Sequence, residues 1–274
     1  MNRFRAIFGE ARPVIAMVHL AALPGAPLHD PEAGMEGVVE AARADLLALQ
    51  AAGVDAVMLG NENDRPYQLS VDPASVAAMA YVAGRLRGEV AVPFGVDVLW
   101  DARATVALAA AAGAAFAREI LSGAYASDMG LWVPDGAGAA RDRARLGRPD
   151  LALLANVSAE FAGSLDPRPL PERARSAAVS MIPDALLVSG PITGEAAAMA
   201  DLEAVRRAVP DLPVLANTGV RHETVAEVLR VADGCVVGTA LKQEGVTWNP
   251  VDPERAAAFV AAAKERPGRR AGRR

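Results

Sequence analysis

Eight short apolar runs, each separated from the next by a longer stretch rich in alanine, constrain this chain more than any other feature. They cover residues 14–19, 56–60, 92–98, 115–121, 151–157, 185–190, 214–217 and 234–238. Runs of Val, Ile and Leu this short read as buried strands, and the segments between them carry helix punctuation. Segment 41–52 ends at Gly53, 72–86 opens with Asp72 before Pro73, and 101–112 ends at Gly113. Strand and helix in strict alternation predict a parallel sheet wrapped by helices. Eight such units in 274 residues fit an α/β chain folded as a single (β/α)8 TIM barrel. The barrel is expected over 1–266. Residues 267–274, with Arg269, Arg270, Arg273 and Arg274 after Pro267 and Gly268, are expected to form a disordered basic tail.

A doubly wound sheet also alternates strands with helices, but its nucleotide fingerprint is a GxGxxG turn directly after the first strand. Here that position reads His19-Leu20-Ala21-Ala22-Leu23-Pro24-Gly25, so the open-sheet reading loses its main support. In a closed barrel the connections after each strand carry function, while the returns stay short. Long connections follow strand one (20–34), two (61–71), four (122–135) and five (158–169). Asp55, Asp184 and Asp233 stand just before strands two, six and eight, at the opposite end, and are assigned to stability.

Composition narrows the functional classes. Hydrophobic residues make up 52% against 22% charged, enough to fill one large core. Aromatic residues are only 4%, so helices are expected to pack through small side chains. A net charge of −5 opposes a phosphate backbone and argues against nucleic acid as a partner. Cys235 is the single cysteine, which excludes an internal disulfide or a cysteine-built zinc site and suits a reducing cytoplasm; it is read as a buried structural thiol. Residues 1–10 lack the apolar core of a signal peptide and no later stretch approaches a spanning helix. A cytoplasmic protein with no membrane partner is expected. Lysine occurs only as Lys242 and Lys264. That scarcity, with the alanine-rich helices, leaves limited charged cover and predicts a homo-oligomer.

The strongest local chemistry lies after the last three strands. Ser189-Gly190, Asn217-Thr218-Gly219 and Gly238-Thr239 place small or hydroxylated residues where backbone N–H groups can approach an anion, the usual phosphate site of such barrels. Gly190, Thr218, Gly219, Gly238 and Thr239 are therefore the phosphate-binding candidates, and a small phosphorylated substrate is the expected partner. Histidine titrates close enough to neutrality to move protons, and His19 ends strand one. His29 in the following loop is a candidate cover for the pocket, whereas His222 is read as a capping or surface residue. The polar stretch Asn61-Glu62-Asn63-Asp64-Arg65 allows a carboxylate base, a divalent-metal site or a network with Arg65. No metal ligand is assigned and no cofactor is required, with a divalent metal left open.

Asp97 ends strand three. Arg118 and Glu119 adjoin on strand four, and alternation lets only one of them face the interior. An interior arginine could grip an anionic substrate or bridge to Asp97. Asn156 and Asn217 close strands five and seven, suited to substrate hydroxyls or to capping the following turn. The candidate catalytic set is thus His19, Glu62, Asp97 and Glu119. The candidate substrate-binding set is Asn61, Arg118, Asp128, Asn156, Ser189 and Asn217.

Several of these segments carry a family resemblance over nearly the whole chain. They are Val14-Ile15-Ala16-Met17-Val18-His19-Leu20 with Leu23-Pro24-Gly25, Asn61-Glu62 with Pro66-Tyr67, and Pro93-Phe94-Gly95-Val96-Asp97-Val98-Leu99-Trp100. Arg118-Glu119-Ile120 with Gly123-Ala124-Tyr125-Ala126-Ser127-Asp128, Leu215-Ala216-Asn217-Thr218-Gly219-Val220 and Asn249-Pro250-Val251-Asp252 complete the set. Together they resemble the BtpA family, and its SgcQ-like branch more than its photosystem-associated branch. The latter ends strand five in an Asp-Val-His type of segment, where this chain has Asn156-Val157-Ser158. The resemblance implies a TIM-type barrel. The activities attached to the family run from photosystem I biogenesis to nucleosidase or phosphosugar chemistry. The expectation is a metabolic enzyme acting on a small phosphorylated sugar or ribosyl/nucleoside-type compound by isomerisation, carbon–carbon cleavage or glycosidic hydrolysis. The alternative is a non-catalytic assembly or stability factor that binds a protein.

Overall fold

The computed structural model describes residues 2–265; the basic tail expected at 267–274 lies outside them. Eight parallel strands close on themselves: β1 (Val14–His19), β2 (Ala56–Gly60), β3 (Phe94–Asp97), β4 (Phe116–Ile120), β7 (Ala152–Asn156), β9 (Ala185–Ser189), β10 (Val214–Asn217) and β11 (Cys235–Val237). Closure is made by β1 against β11, with Val14 opposite Cys235 and Ala16 opposite Val237. Strand ends fall within two residues of the apolar runs.

Alternation sorts each strand into two faces. One set of side chains, including Ile15, Met17, Met58, Leu154, Leu187 and Leu215, fills the barrel interior. The other set, Val14, Val57, Val96, Leu153 and Val214 among them, packs under the helices. Those helices are α2 (Gly34–Ala52), α3 (Pro73–Leu86), α4 (Ala102–Ala112), α5 (Gly136–Arg145), α6 (Leu170–Ser180), α7 (Met199–Ala208), α8 (Val225–Val231) and α9 (Pro253–Lys264). Asp72 and Asp101 cap α3 and α4 by accepting from backbone N–H groups of the first turn. Helix α2 starts seven residues before the expected 41, since Gly34, Gly37, Val38 and Val39 hide its first turns from a propensity reading.

Two features are new. Residues 3–8 form a helix, α1 (Arg3–Phe8), whose buried Phe4 joins the interior cluster from below. Phe8 stands between Phe4 and Phe116, with ring centroids 4.8 and 6.0 Å away. The long connections after the fourth and fifth barrel strands also build a three-stranded antiparallel sheet. It comprises β5 (Tyr125–Ser127), β6 (Gly130–Trp132) and β8 (Ala162–Ser164) in the order β6-β5-β8. Its inner face carries Tyr125 and Trp132 into a cluster with Leu99, Trp100 and Ile120. The few aromatic residues are thus concentrated in a plug and a roof, and the helices pack through smaller side chains.

The three aspartates assigned to stability act alike. Asp55, Asp184 and Asp233 each accept from one strand backbone N–H, of Val14, Leu153 and Val214 at 2.8, 2.9 and 3.0 Å. Each also donates its own N–H to the carbonyl of that same residue. A doubly bonded pair of this kind fixes where adjacent strands begin, and so fixes what stands at their far ends.

Candidate functional site

Two residues beyond the apolar interior positions, the barrel strands carry the inward positions of a ring at or near their C-terminal ends: His19, Gly60, Asp97, Arg118 (two residues before the end of β4), Asn156, Ser189, Asn217 and, just past β11, Gly238. Arg118 is therefore the interior member of the Arg118/Glu119 pair. Around five adjacent strands the ring is joined side chain to side chain. Arg118 donates from Nη1 to Asp97 Oδ2 at 2.6 Å and from Nε to Asn156 Oδ1 at 3.2 Å. Asn156 and Asn217 both donate their amides to Ser189 Oγ, at 2.7 and 2.8 Å. All five are buried, as such a satisfied polar network must be.

The remaining three positions read Gly238, His19 and Gly60, and at both glycines a neighbour occupies the space of the missing side chain. A Cβ at Gly238 would stand 2.7 Å from His19 Cε1, and one at Gly60 would stand 2.6 Å from Glu62 Oε2. Their missing side chains leave room for the imidazole and let the Glu62 carboxyl fold back over the end of β2. His19 Nε2 and Glu62 Oε1 come within 3.5 Å. His19 Nδ1 lies 3.5 Å from the Thr247 carbonyl, which can only accept, so the proton is assigned to Nδ1 and Nε2 presents its lone pair to Glu62. Glu62 Oε2 is buried and has no hydrogen-bond partner.

Above this arc opens a cavity of about 550 Å³. Its floor is made by His19, Glu62, Arg118 and Glu160, and its walls and mouth include Thr193, Glu195, Thr218, Gly219, Arg221, His222, Thr239 and Arg255. Burial dominates the electrostatics. It raises Glu62 to about 7 and Asp97 to about 6, and it raises Glu160. Glu119 lies well above the carboxylate range, raised by burial and then by Asp97, with which it shares a hydrogen bond. His19 is lowered to about 3 by burial and by the Lys242 ammonium. Lys242 is itself buried and paired with Asp45 at 2.5 Å. Near neutrality the floor thus holds a neutral imidazole beside a carboxyl poised between its two states, the combination a proton-transfer site requires.

The sequence-derived candidates divide. His19, Glu62, Arg118, Asn217, Thr218, Gly219, Gly238 and Thr239 line the cavity. Asp97, Asn156 and Ser189 lie beneath it as its support. Glu119 accepts from the backbone N–H groups of Trp100 and Ile120 at 2.8 and 2.7 Å, which holds the connection after β3 rather than facing the cavity. Asn61 likewise accepts from Leu99 N–H and donates to Asp64. Asp128 is exposed at the turn between β5 and β6. Gly190 donates its N–H to Thr218 Oγ1, which in turn donates to the Glu195 carbonyl, both at 2.8 Å. A Cβ at Gly190 or Gly219 would meet the backbone of residues 195 and 196 at about 2 Å, so this connection presses directly on both glycines. His222 reaches the cavity mouth, whereas His29 bonds the Ala22 carbonyl through Nδ1. Cys235 is a buried thiol. Among the described residues no group of three or more His, Cys, Asp or Glu is arranged to hold a metal ion, and no helix is long and apolar enough to cross a membrane.

Glu160 was missed. It accepts from Arg118 Nη2 at 3.0 Å, Asn217 Nδ2 at 3.2 Å and Thr193 Oγ1 at 3.1 Å. It sits in an irregular connection with no motif around it, and the one available signal was that Arg118 has more donors than Asp97 can fill.

Comparison with known proteins gives a consistent outcome. The model of the BtpA family matches residues 10–265. The sgc region protein SgcQ of Escherichia coli strain K12 is 45% identical over 260 residues, covering 95% of this chain and 97% of that protein. The photosystem I biogenesis protein BtpA of Synechocystis is 33% identical over 261 residues, covering 94% and 90%. Among solved structures, tryptophan synthase from M. tuberculosis superimposes with a TM-score of 0.57 at 21% identity, over 96% of this chain and 99% of that one. That likeness concerns the barrel fold.

Proposed function

The chain belongs to the BtpA family, and from that premise we propose that it is an enzyme acting on a small phosphorylated sugar or ribosyl compound. Glu62 is then the group that moves the proton. The observation that carries this reading is the buried Glu62 Oε2, unpartnered on the floor of a cavity, on a carboxyl raised to about 7. An unsatisfied buried oxygen is costly to a fold that gains nothing from it. A ligand hydroxyl or carbonyl would satisfy it. Protonated Glu62 would donate to such an oxygen and ionised Glu62 would take a proton back, with neutral His19 beside it holding the carboxyl in place. Arg118, held by Asp97, Asn156 and Glu160, keeps the floor rigid and limits how far the carboxyls repel. In this reading the phosphate lies against Thr218, Gly219, Gly238 and Thr239, with Arg221 and Arg255 at the mouth supplying charge. Isomerisation, carbon–carbon cleavage and glycosidic hydrolysis all use such a proton transfer. Thermal-shift screening against phosphorylated sugars and nucleotides, followed by turnover assays on the hits, is the test. Glu62→Gln is expected to reduce turnover by about 10²- to 10⁴-fold while ligand binding persists, and a variant as active as wild type would end the assignment.

A second reading, a non-catalytic factor that docks a protein, is favoured by one observation. Leu131, Val133 and Leu165 on and beside the small sheet are 77%, 75% and 55% exposed, and exposed apolar residues grouped in this way mark interaction surfaces. Under it, Leu131→Asp with Leu165→Asp abolishes activity in the cell and Glu62→Gln does not. The same face is our candidate for self-association. Light scattering that returned a monomer for wild type at all micromolar concentrations would remove that role.

A further inference from the structure

On the outside of the barrel, between the connection after β4 and helix α6, lies a separate pocket of about 230 Å³. It shares no lining residue with the central cavity. Arg173, in the first turn of α6, lines it, and its Nε is buried without a hydrogen-bond partner. The carboxylate that lines the pocket beside it is already committed. Asp166 is gripped by Arg168 through Nε at 3.0 Å to both oxygens and through Nη2 at 2.6 Å, and it also accepts the Arg168 backbone N–H. Of the charged residues that line the pocket two are arginines and one is an aspartate, and that aspartate's hydrogen bonds go to Arg168, not to Arg173. Ser122, Ser176 and Ser180 line the same space with hydroxyls. Tyr125 donates its hydroxyl to the Ser122 carbonyl, which fixes that wall.

A buried guanidinium nitrogen with no acceptor is an incomplete arrangement, because guanidinium groups are built to meet oxyanions. Donors approach here from two directions, the helix and the connection after β4. That suits a tetrahedral oxyanion better than a flat carboxylate. A water takes about 30 Å³, so the pocket has room for an oxyanion and a short substituent.

We propose that this pocket is a second anion site, taking the phosphoryl group of inorganic phosphate or of a small phosphomonoester on Arg173, with the serine hydroxyls completing its contacts. It stands apart from the central cavity and does not depend on the reading of that cavity as a phosphosugar site.

Isothermal titration of the full chain with inorganic phosphate, wild type beside Arg173→Gln, tests it. Arg173→Gln is expected to lose one binding equivalent. Arg173→Lys should keep that equivalent at reduced affinity, and Ser176→Ala should weaken it by about threefold to tenfold. Glycerol 3-phosphate in a parallel titration separates the two sources: tighter binding than phosphate identifies a phosphomonoester, and weaker binding identifies the free ion. If the central cavity takes no phosphate, wild type binds one equivalent and Arg173→Gln none, so the two readings fail separately. Should Arg173→Gln misfold by circular dichroism, Arg173→Lys and Ser176→Ala carry the test. Wild-type stoichiometry and affinity in the variants that fold would overturn the proposal.

Discussion

The ring at the top of the barrel has two arcs of opposite character. Over five strands Asp97, Arg118, Asn156, Ser189 and Asn217 satisfy one another. Over the other three the ring offers two glycines and a histidine, and the space is taken by a carboxyl with an unpartnered oxygen. The same layer of the same fold thus holds a closed network beside an open one. Polar groups that consume each other make structure, and a polar group left over makes a site. This difference can be broken or sharpened by substitution.

The largest effect should come from the closed arc. Arg118→Met removes the one cation from between Asp97 and Glu160, leaving buried carboxylates uncompensated, and is expected to cost about 3–5 kcal/mol in urea unfolding. A loss below about 1 kcal/mol would mean that the arc is hydrated and the comparison misplaced.

Next comes the open arc, read through pH. Glu62 titrates at about 7 in the folded chain against an ordinary 4.5. Its favourable contribution is complete below 4.5 and is lost as pH rises through 7, amounting to about 3 kcal/mol at about 1.36 kcal/mol per unit. His19, lowered from 6.5 to about 3, works in the other sense: its contribution is present above 6.5 and lost as pH falls through 3. Glu62→Gln should therefore make the decline in stability between pH 4.5 and 7 shallower, leaving the share that the raised Asp97 contributes, and should leave the acid-side loss. A pH profile identical to wild type would show that the Glu62 carboxyl is solvated.

Ser189→Ala deprives the buried Asn156 amide of its acceptor and leaves the Asn217 amide with Glu160 alone, and is expected to cost about 1–3 kcal/mol, with Glu62 still titrating as in wild type. The smallest change in stability belongs to Gly60→Ala. Its methyl would meet only the far ends of Glu62 and Met17, so unfolding should shift by less than about 1 kcal/mol while turnover falls with the displaced carboxyl. Full activity in that variant would detach Glu62 from the chemistry.

How far the sequence revealed these arcs follows from the period of a strand. Once the apolar runs were located, noting which polar residue closes each one reached His19, Asp97, Asn156, Ser189 and Asn217 without any structure. The same logic could not choose between Arg118 and Glu119, because the outer face of β4 is as buried as the inner one and hydrophobic pattern carries no phase there. Off the strands it was uneven: Glu62, Thr218 and Thr239 do line the cavity, and other candidates do not. Asp128 and Asn61 drew notice as polar residues near strand ends, yet one is exposed at a surface turn and the other pins Leu99. Glu160 reaches the floor from a connection whose path no periodicity encodes. The small sheet escaped for a related reason: β5, β6 and β8 are three residues each, too short to show alternation.

Helix α1 has a consequence for traffic. With Phe4 and Phe8 stacked beneath Phe116, the barrel has a stopper at one end, and its chamber is a cul-de-sac. Whatever reaches Glu62 past Arg221 and Arg255 leaves at that same end of the barrel, so two molecules seated against Glu62 would exclude one another.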